Sequence, residues 1–502
     1  MTAKQVAKKR AATPKGKPVR PVAVRIRRDV WRLSDENPWH PIILGYARAI
    51  ARLQTLDTGT FADPRSWRHL AEIHGASIPQ NQWPAGAIWN ACEHGSWYFL
   101  PWHRVYLHHF EKIVRDAVRQ VGGPASWALP YWNYTDPQRP QVRQLPPAFR
   151  QPTLPDGTPN PLLVTQRGPT MNTTGQLNTG VVSTSAALAQ AEFTDLVGGG
   201  IVPGFGGGVS GRTHSGGIPG MLESVPHGSV HVGVGGSNPP GWMSRFETAG
   251  RDPIFWLHHA NIDRLWSQWL RTAPHVNPVD DRWLRERFEF GSAAWHTQLA
   301  TREVLNSRTA PLRYRYDDEP ARRAAVTRAG RPSRRAPERP VRRGPPEMVG
   351  ATSEEIPLGP EPSHAEIDVT PARAAGRATF AGDRQPERVY LKIENVRGTE
   401  LSAGSFDVYV NAPPDARPAQ IAAHHAGTIG MFGVIESSQR SATHGGEGIT
   451  FSFDITDLVR KLEAEGEWDP AKLRVTFVPI PDSVGKVYSG DLKVGRVSLH
   501  RG

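Results

Sequence analysis

Several features are scarce or missing in this chain of 502 residues, and each narrows the class of protein. The single cysteine, Cys92, rules out intrachain disulfides and fits a reducing compartment. No run of about 18 apolar residues occurs, so we expect no transmembrane helix. The basic N-terminus is not followed by an apolar core. We therefore expect no secretory signal and a cytoplasmic location, with export by another route left open.

Positive charge is in excess, with 60 Lys and Arg against 48 Asp and Glu, but two segments hold most of it. Residues 1–20 contain seven Lys or Arg, and residues 321–343 contain nine Arg. The rest of the chain is close to neutral, which argues against a nucleic-acid-binding surface on the folded part. We expect solvated basic segments, with neither nucleic acid nor a membrane as a partner.

Hydrophobic periodicity divides the chain into a helical part and a strand-rich part. Apolar residues at helical spacing predict helices near residues 41–56, 64–74, 100–121 and 253–270. A period of two follows in runs near residues 389–393, 406–410, 449–455, 473–478 and 492–499. The sequence therefore predicts a mainly α domain, a four-helix bundle with long loops, followed by an all-β sandwich.

Composition sets the expected domain boundaries. A disordered basic tail covers residues 1–24, the helical domain covers 25–317, and the sandwich covers 386–502. Residues 318–385 are rich in Arg, Pro, Ala and Gly with little periodic apolar content, which is typical of a linker.

Six histidines form two triplets on segments with helical patterns, and a seventh lies beside the last of them. The triplets are His74, His94 and His103, and His227, His231 and His259, with His258 next to the last. A lone buried histidine is more often a satisfied core residue than a ligand. Two triplets on helices that meet in one bundle are instead typical of metal sites. His227 and His231 are one helical turn apart and can reach a single ion.

The ligand types narrow the choice of metal. The sequence offers no carboxylates at ligand spacing and no thiolate pairs, so Ca, Mg and iron–sulfur clusters fit poorly. All-imidazole coordination suits Cu, Zn or Fe. The residues favour a paired metal centre over two separate sites and copper slightly over zinc. A zinc hydrolase is therefore left as a remote alternative.

Two long runs resemble the copper-binding signatures of tyrosinases, catechol oxidases and molluscan haemocyanins. Residues 99–111 contain Phe-Leu-Pro-Trp-His-Arg and resemble the copper-A signature, and residues 252–266 contain Leu-His-His-Ala-Asn-Ile-Asp-Arg and resemble the copper-B signature. The resemblance implies a type 3 centre of two copper ions with O2 as co-substrate. It assigns copper A to His74, His94 and His103, and copper B to His227, His231 and His259.

The resemblance extends to the rest of the chain. The Tyr314-Arg315-Tyr316 motif is similar to the one that closes the catalytic domain by packing on an early arginine, here Arg27 or Arg28. Residues 405–411 and 425–430 resemble the C-terminal domain of plant polyphenol oxidases. In that family this domain covers the copper site, which implies a latent, zymogen-like enzyme that a protease could activate by cutting the linker.

The resemblance also assigns roles beside the predicted ligands. Cys92 stands two residues before His94, as in fungal and molluscan relatives that have a thioether bond, which implies a Cys92–His94 thioether; the alternative is an inert buried thiol. Glu223 matches a glutamate that holds a water near the coppers, and the alternative is a solvated carboxylate at a helix start.

Four further residues near the ligands are candidates. Phe246 matches a bulky gate residue above copper A, and the alternative is an ordinary core aromatic. Gly228 stands where many strong monophenol hydroxylases have asparagine, which puts monophenol hydroxylation in doubt. Asp263 and His258 are candidates to support the ligands, with Asp263 orienting an imidazole; an ion pair with a nearby arginine is the alternative.

The residues and the resemblance together predict copper-dependent oxidation of a small phenolic substrate, an o-diphenol, to an o-quinone with O2. Ortho-hydroxylation of monophenols is left open. An o-aminophenol oxidase and a haemocyanin-like oxygen carrier are the alternatives, because both would use the same six histidines. The sequence does not predict the oligomeric state.

Overall fold

A computed structural model describes residues 23–195, 202–292, 295–320, 346–369, 388–413, 418–440, 446–469 and 471–502. The predicted basic tail therefore lies almost wholly outside the described residues. The first part of the chain is mainly helical, with α1 (Val30–Glu36), α2 (Pro41–Gln54), α3 (Trp67–Glu72), α4 (Phe99–Gln120), α5 (Ser185–Leu188), α6 (Ser229–Gly235), α7 (Phe246–Ala249), α8 (Pro253–Trp269) and α9 (Asp281–Arg285). Its short strands are β1 (Arg25–Arg27), β2 (Arg287–Phe290), β3 (Thr297–Ala300) and β4 (Tyr314–Tyr316).

The longest helices, α2, α4 and α8, pack together, and α6 completes the bundle around the histidines. The helix α8 begins where the sequence predicts, because Pro253 occupies its first turn and the Asp252 side chain accepts a hydrogen bond from Ile254 N. The rings of Phe110 and Trp256 stack with centroids 3.5 Å apart and join α4 to α8. The predicted mainly α fold of this domain is therefore confirmed.

A buried ionic cluster closes the helical domain at the pairing of β1 with β4. The two strands are parallel, with Arg27 opposite Tyr316. Arg27 is fully buried and bonds to Glu111 at 2.6 Å and to the Tyr316 hydroxyl at 3.0 Å. Arg28 instead pairs with Glu36 at the surface. Arg27 is therefore the arginine that packs against the Tyr-Arg-Tyr motif.

The second part of the chain is a sandwich of two four-stranded sheets, with strand orders β10-β9-β12-β7 and β11-β8-β14-β5. Its strands are β5 (Glu347–Ala351), β6 (Ile356–Pro357), β7 (Ser363–Asp368), β8 (Val389–Val396), β9 (Ser405–Val410), β10 (His425–Gly430), β11 (Ile449–Asp454), β12 (Lys472–Pro479), β13 (Lys493–Val494) and β14 (Arg496–Arg501). It also contains the helices α10 (Pro418–Ile421), α11 (Val434–Ser438) and α12 (Thr456–Glu465). We call residues 346–502 the lid domain.

The predicted linker at 318–385 is too long, because β5, β6 and β7 lie within it. Both β5 and β7 are edge strands of their sheets. An edge strand can bury one face only and tolerates charged and proline-rich surroundings, so its sequence resembles that of a linker. Residues 321–345 and 370–387 lie outside the described residues.

In the described part of the chain, no helix combines the length and the apolar character that crossing a membrane requires.

Candidate dicopper site

The six predicted ligand histidines converge in one buried cluster. Ring centroids lie 5.8 Å apart for His74 and His103, and 4.7 Å apart for His227 and His231. The two triplets face each other, since the ring of His259 stacks on that of His103 at 4.4 Å. All six side chains are at least 96% buried. The sequence spacing therefore brings both triplets to a single site.

The six residues come from different kinds of backbone. His103, His231 and His259 lie on α4, α6 and α8, respectively. His74 lies in the turn after α3, and His94 lies in the loop before α4, where its backbone N donates to Thr213 O at 3.0 Å. His227 belongs to a π-helical turn, Glu223–Gly228, which leads into α6. The sequence pattern thus predicted helical positions for two ligands that are in fact held outside helices.

Backbone carbonyl groups fix the orientation of five imidazoles through Nδ1. The acceptors are Phe246 O for His74 at 3.0 Å, His214 O for His94 at 3.2 Å, Phe99 O for His103 at 2.8 Å, Glu223 O for His227 at 3.1 Å and Met243 O for His231 at 2.7 Å. A carbonyl can only accept a hydrogen bond, so each Nδ1 carries the proton and each Nε2 presents a lone pair. This is the tautomer that a metal ligand requires.

The lone pairs that face the cluster accept no N–H or O–H hydrogen bond from the backbone or from other side-chain types in the described part of the chain. Nε2 is buried without a hydrogen bond in His74, His94, His103 and His227, and Nε2 of His231 lies 3.2 Å from Nε2 of His259. Burial lowers the pKa of every one of the six imidazoles, to about 3 for His103 and His231, so all are neutral. Neutral imidazole nitrogens that face one another without protons fit bound copper ions.

His258 is a fourth imidazole at the second triplet. Its Nε2 is buried without a partner, and its Nδ1 lies 3.0 Å from the Tyr134 hydroxyl. The ligand atoms of His227, His231, His258 and His259 lie within 4.8 Å of one another. His258 therefore adjoins the second triplet, with its Nδ1 directed to the Tyr134 hydroxyl and not to a backbone carbonyl group.

Glu223 lies beside the cluster with one carboxylate oxygen in use and one free. Oε1 accepts from Gly95 N at 2.7 Å, while Oε2 is buried without a partner. Burial raises the pKa of Glu223 to about 8. A cavity of about 20 Å³ lined by Glu223, His94 and His227 has room for one water molecule. The backbone departs from helical geometry at Val225, so Glu223 is not on a regular helix that extends back from His227.

Cys92 is buried next to the first triplet. Its Sγ lies 3.1 Å from Nδ1 of His214 and within 4.8 Å of ligand atoms of His74 and His94. Burial raises the pKa of the thiol well above its usual range. The Cys92–His94 thioether stays a prediction, which the intact mass of the protein can test. The sequence pattern did not single out His214, because it lies alone in a glycine-rich loop.

Asp263 does not orient an imidazole. Its carboxylate accepts hydrogen bonds from Arg27, Arg104, Tyr314 and Tyr316. Burial alone would raise the pKa of Asp263, but the charges of Arg104 and Arg27 lower it below the ordinary value. The predicted role was wrong because the partners are buried arginines and tyrosines that are remote in sequence.

The lid domain inserts an aromatic ring into the site. Phe432 stacks on the His231 ring at 3.9 Å and lies 4.8 Å from the Phe246 ring. Phe246 in turn stacks on His94 at 4.3 Å, which places it against the first triplet. A Cβ atom added at Gly228 would lie 3.4 Å from Cβ of Phe432. The sequence carried no local signal for Phe432, since its role depends on how the domains pack.

Comparison with known families gives the same division of the chain. The model for the common central domain of tyrosinase matches residues 64–272, and a domain of unknown function matches residues 345–502. Tyrosinase HcTyr1 of Hahella sp. strain CCB-MM4 is 35% identical over 504 residues, covering 95% of this chain and 99% of that protein. The chain belongs to the tyrosinase family. It is a type 3 copper enzyme with two copper ions as cofactor and O2 as co-substrate.

Plant members of the tyrosinase family match over most of the chain as well. A chloroplastic polyphenol oxidase of Malus domestica is 28% identical and covers 86% of this chain and 72% of its own length. The structure of latent apple tyrosinase has a TM-score of 0.62 at 22% identity, covering 97% of this chain and 99% of that chain. This likeness shows that the two proteins share the fold, lid domain included.

Proposed function

We propose that this tyrosinase-family protein oxidises o-diphenols to o-quinones and is made in a latent form. The observation that carries the proposal is the insertion of Phe432 among the neutral imidazoles of both triplets, whose Nε2 atoms face the centre of the cluster. The copper ions, when bound, supply the exchange of electrons between the phenol and O2. The ring of Phe432 occupies the space beside His231 that an aromatic substrate would need.

The chain's own residues supply binding and proton transfer. Phe246 offers an aromatic face next to His94, against which a phenol ring can pack. The unpartnered Oε2 of Glu223 can take one of the two protons that a catechol releases on oxidation, through a water in the adjoining cavity. Because its pKa is raised to about 8, the carboxyl can both accept and return a proton near neutral pH.

Several contacts hold the lid domain in place. The Ser405 hydroxyl donates to the Ser229 hydroxyl at 2.8 Å, directly between two ligand histidines on the same turn. The Phe246 backbone N donates to Glu436 Oε1 at 3.1 Å, and Thr450 N donates to Gly217 O at 3.1 Å. Ser483 Oγ also donates to Pro169 O at 2.6 Å, and Ser224 Oγ donates to Thr428 O at 3.4 Å. Most of these bonds join neutral groups, so each contributes only modestly to the docking of the lid.

Replacement of Phe432 tests the function and the latency together. In the copper-loaded chain we expect Phe432→Ala to raise catechol oxidation by about tenfold or more, since removing the ring opens the space beside His231. The matched control is Ile480→Ala, which removes a lid residue that contacts the helical domain near Gly180 but not the histidines. Rates on a catechol and its matching monophenol should be measured in parallel.

Different outcomes distinguish the alternatives. Absence of turnover in the folded, copper-loaded Phe432→Ala variant would favour an oxygen carrier. Preference for an o-aminophenol over the catechol would favour the aminophenol oxidase. Equal activation by Ile480→Ala would show that general loosening, and not the Phe432 ring, controls access.

We also propose that a protease activates the protein by cutting between the two domains. Residues 321–345 contain nine Arg and no Lys as candidate cleavage positions, and the described domains end at Pro320 and begin again at Pro346. A specific cleavage site introduced there should raise catechol oxidation once the lid dissociates. Unchanged activity after complete cleavage and separation of the lid would contradict the proposal.

A further inference from the structure

A second concave surface lies between β1, α4 and the loop before β4. This cavity has a volume of about 300 Å³. In the described part of the chain its polar lining is entirely basic, from Arg25, His108, Lys112, Arg115 and Arg313. None of these residues belongs to the dicopper site. We call this surface the basic cavity.

Two features of the fold bring these side chains together. His108, Lys112 and Arg115 follow one another at spacings of four and three on α4, so they share one face of the helix. The pairing of β1 with β4 brings Arg25 and Arg313 to the same place, since Arg25 N donates to Arg313 O at 2.9 Å. The cavity is therefore formed by α4, by β1 and by the segment before β4 that is hydrogen-bonded to β1.

The basic cavity contains little compensating negative charge. The Arg25 Nη2 donates to Leu312 O at 2.6 Å, whereas its Nε is buried without a hydrogen bond and lies 3.7 Å from Glu111. Glu111 is already bound to Arg27 at 2.6 Å. Among the described residues, no carboxylate lies within 4.0 Å of the charged nitrogen atoms of Lys112, Arg115 or Arg313.

Two lining groups, Arg115 and His108, have lowered pKa values. Burial, followed by the charge of Arg25, lowers the pKa of Arg115. Burial lowers the pKa of His108 to about 4, with further lowering by Arg25, Arg27 and Lys112 against the opposing effect of Glu111. A bound anion would relieve this repulsion.

We propose that the basic cavity binds a multivalent oxyanion of the phosphate or sulfate type. Guanidinium groups match the oxygen geometry of such anions and form charge-assisted hydrogen bonds with them. The N-terminal segment cannot provide the anion, because residues 1–22 contain no Asp or Glu. Occupancy would join β1, α4 and the segment before β4, and so stabilise the helical domain.

Thermal unfolding of the copper-loaded full chain tests the proposal. We expect sodium sulfate and inorganic phosphate to raise Tm saturably by about 2–4 °C above NaCl at equal ionic strength. The double variant Lys112→Gln/Arg115→Gln should lose this rise and bind sulfate about tenfold or more weakly in calorimetric titration. It should keep the Tm of the parent in NaCl, because it removes charges that have no carboxylate partner.

Arg119→Gln is the matched control, since Arg119 lies one turn further on α4, is exposed, and pairs with Asp116 outside the cavity. It should keep the full sulfate response. An equal response in the double variant would overturn the proposal, as would an equal rise in NaCl. Sedimentation with phosphatidylglycerol vesicles in the absence of any response to free phosphate or sulfate would also overturn it, in favour of a lipid headgroup.

Discussion

His258 and His259 are neighbours on α8, and both imidazoles reach the second triplet. The His259 ring also stacks on His103 of the first triplet, whereas His258 contacts the Tyr134 hydroxyl through Nδ1. We expect His259→Ala to retain about half of the parent's copper and to lose catechol oxidation, because a site left with two imidazoles binds copper weakly. His258→Ala should retain nearly all the copper.

Metal analysis after dialysis measures this difference, with circular dichroism to show that both variants fold. The reverse result, copper loss in His258→Ala and retention in His259→Ala, would exchange the two roles.

The burial of Glu436 at the contact with Phe246 predicts that docking of the lid domain depends on pH. Burial raises the pKa of Glu436 to about 7, with Glu247 raising it further and the Phe246 N–H and Arg245 lowering it. When the lid separates, this carboxyl returns towards its ordinary pKa of about 4.5. The docked state therefore holds the proton more tightly, so docking is strongest below pH 4.5 and weakens as pH rises through 7.

We accordingly expect the intact chain to be more latent near pH 5 than near pH 8. The measurement is catechol oxidation by the intact chain divided by that of the lid-free chain at each pH, which cancels the pH dependence of the reaction itself. In Glu436→Gln this ratio should vary much less with pH, since the amide still accepts the Phe246 N–H but does not titrate. An unchanged profile in that variant would contradict the prediction.

At the scale of elements, the carboxylate of Asp263 joins α8 to α4, β1 and β4. It is the shared acceptor for Arg27, Arg104 and two tyrosines, all of them buried. We expect Asp263→Asn to lower the free energy of unfolding by about 3–5 kcal/mol, because the buried Arg104 loses its counter-charge and Arg27 keeps only Glu111. Urea unfolding followed by fluorescence measures this loss.

The control for that change is Asp281→Asn, which removes an exposed carboxylate paired with Arg285 and should cost less than about 1 kcal/mol. Similar losses in the two variants would show that the buried cluster contributes no more than a surface ion pair.

Sequence patterns predicted those elements whose signals are local. The helices α4 and α8 carry both the apolar period and the histidine-containing motifs, so the period predicted their positions and the resemblance to the copper signatures predicted their ligands. The edge strands β5 and β7 were missed because β5 has no buried residue and β7 alternates over only six residues, with only Ala365 and Ile367 buried. Short edge strands lack the continuous alternation on which the prediction depends.

Contacts between remote residues could not be predicted in the same way. The role of Asp263 depends on arginines and tyrosines that are remote in sequence, and the pairing of β1 with β4 brings Arg27 close to the two tyrosines. The sequence pattern likewise did not indicate that Phe432 enters the site, because this contact forms only when the lid domain docks on the helical domain. Local motifs therefore predicted the metal ligands. The covering of the site by Phe432 and the cluster around Asp263 could be recognised only in the tertiary structure.

At the scale of the whole molecule, the two domains should respond differently to mild denaturation. The lid contacts the helical domain through neutral polar bonds and through glycine-lined packing such as that of Gly430 on the backbone of Ser224. The helical domain also contains the buried Asp263 cluster and the stacked rings of Phe110 and Trp256. We expect catechol oxidation to rise at low urea concentration, before the helical domain unfolds.

Activity and tryptophan fluorescence recorded over the same urea series test this order of events. A single transition in which activity only falls would show that the two domains unfold as one unit.

Gly228 connects substrate chemistry with restraint of the enzyme. It adjoins the ligand His227, and a side chain there would meet both Glu223 and Phe432. Any larger residue that changed the substrate range at this position would therefore also contact Phe432. A natural or engineered substitution at Gly228 would therefore affect two properties together. It would change which substrates fit beside His227, and it would change how closely Phe432 closes the site.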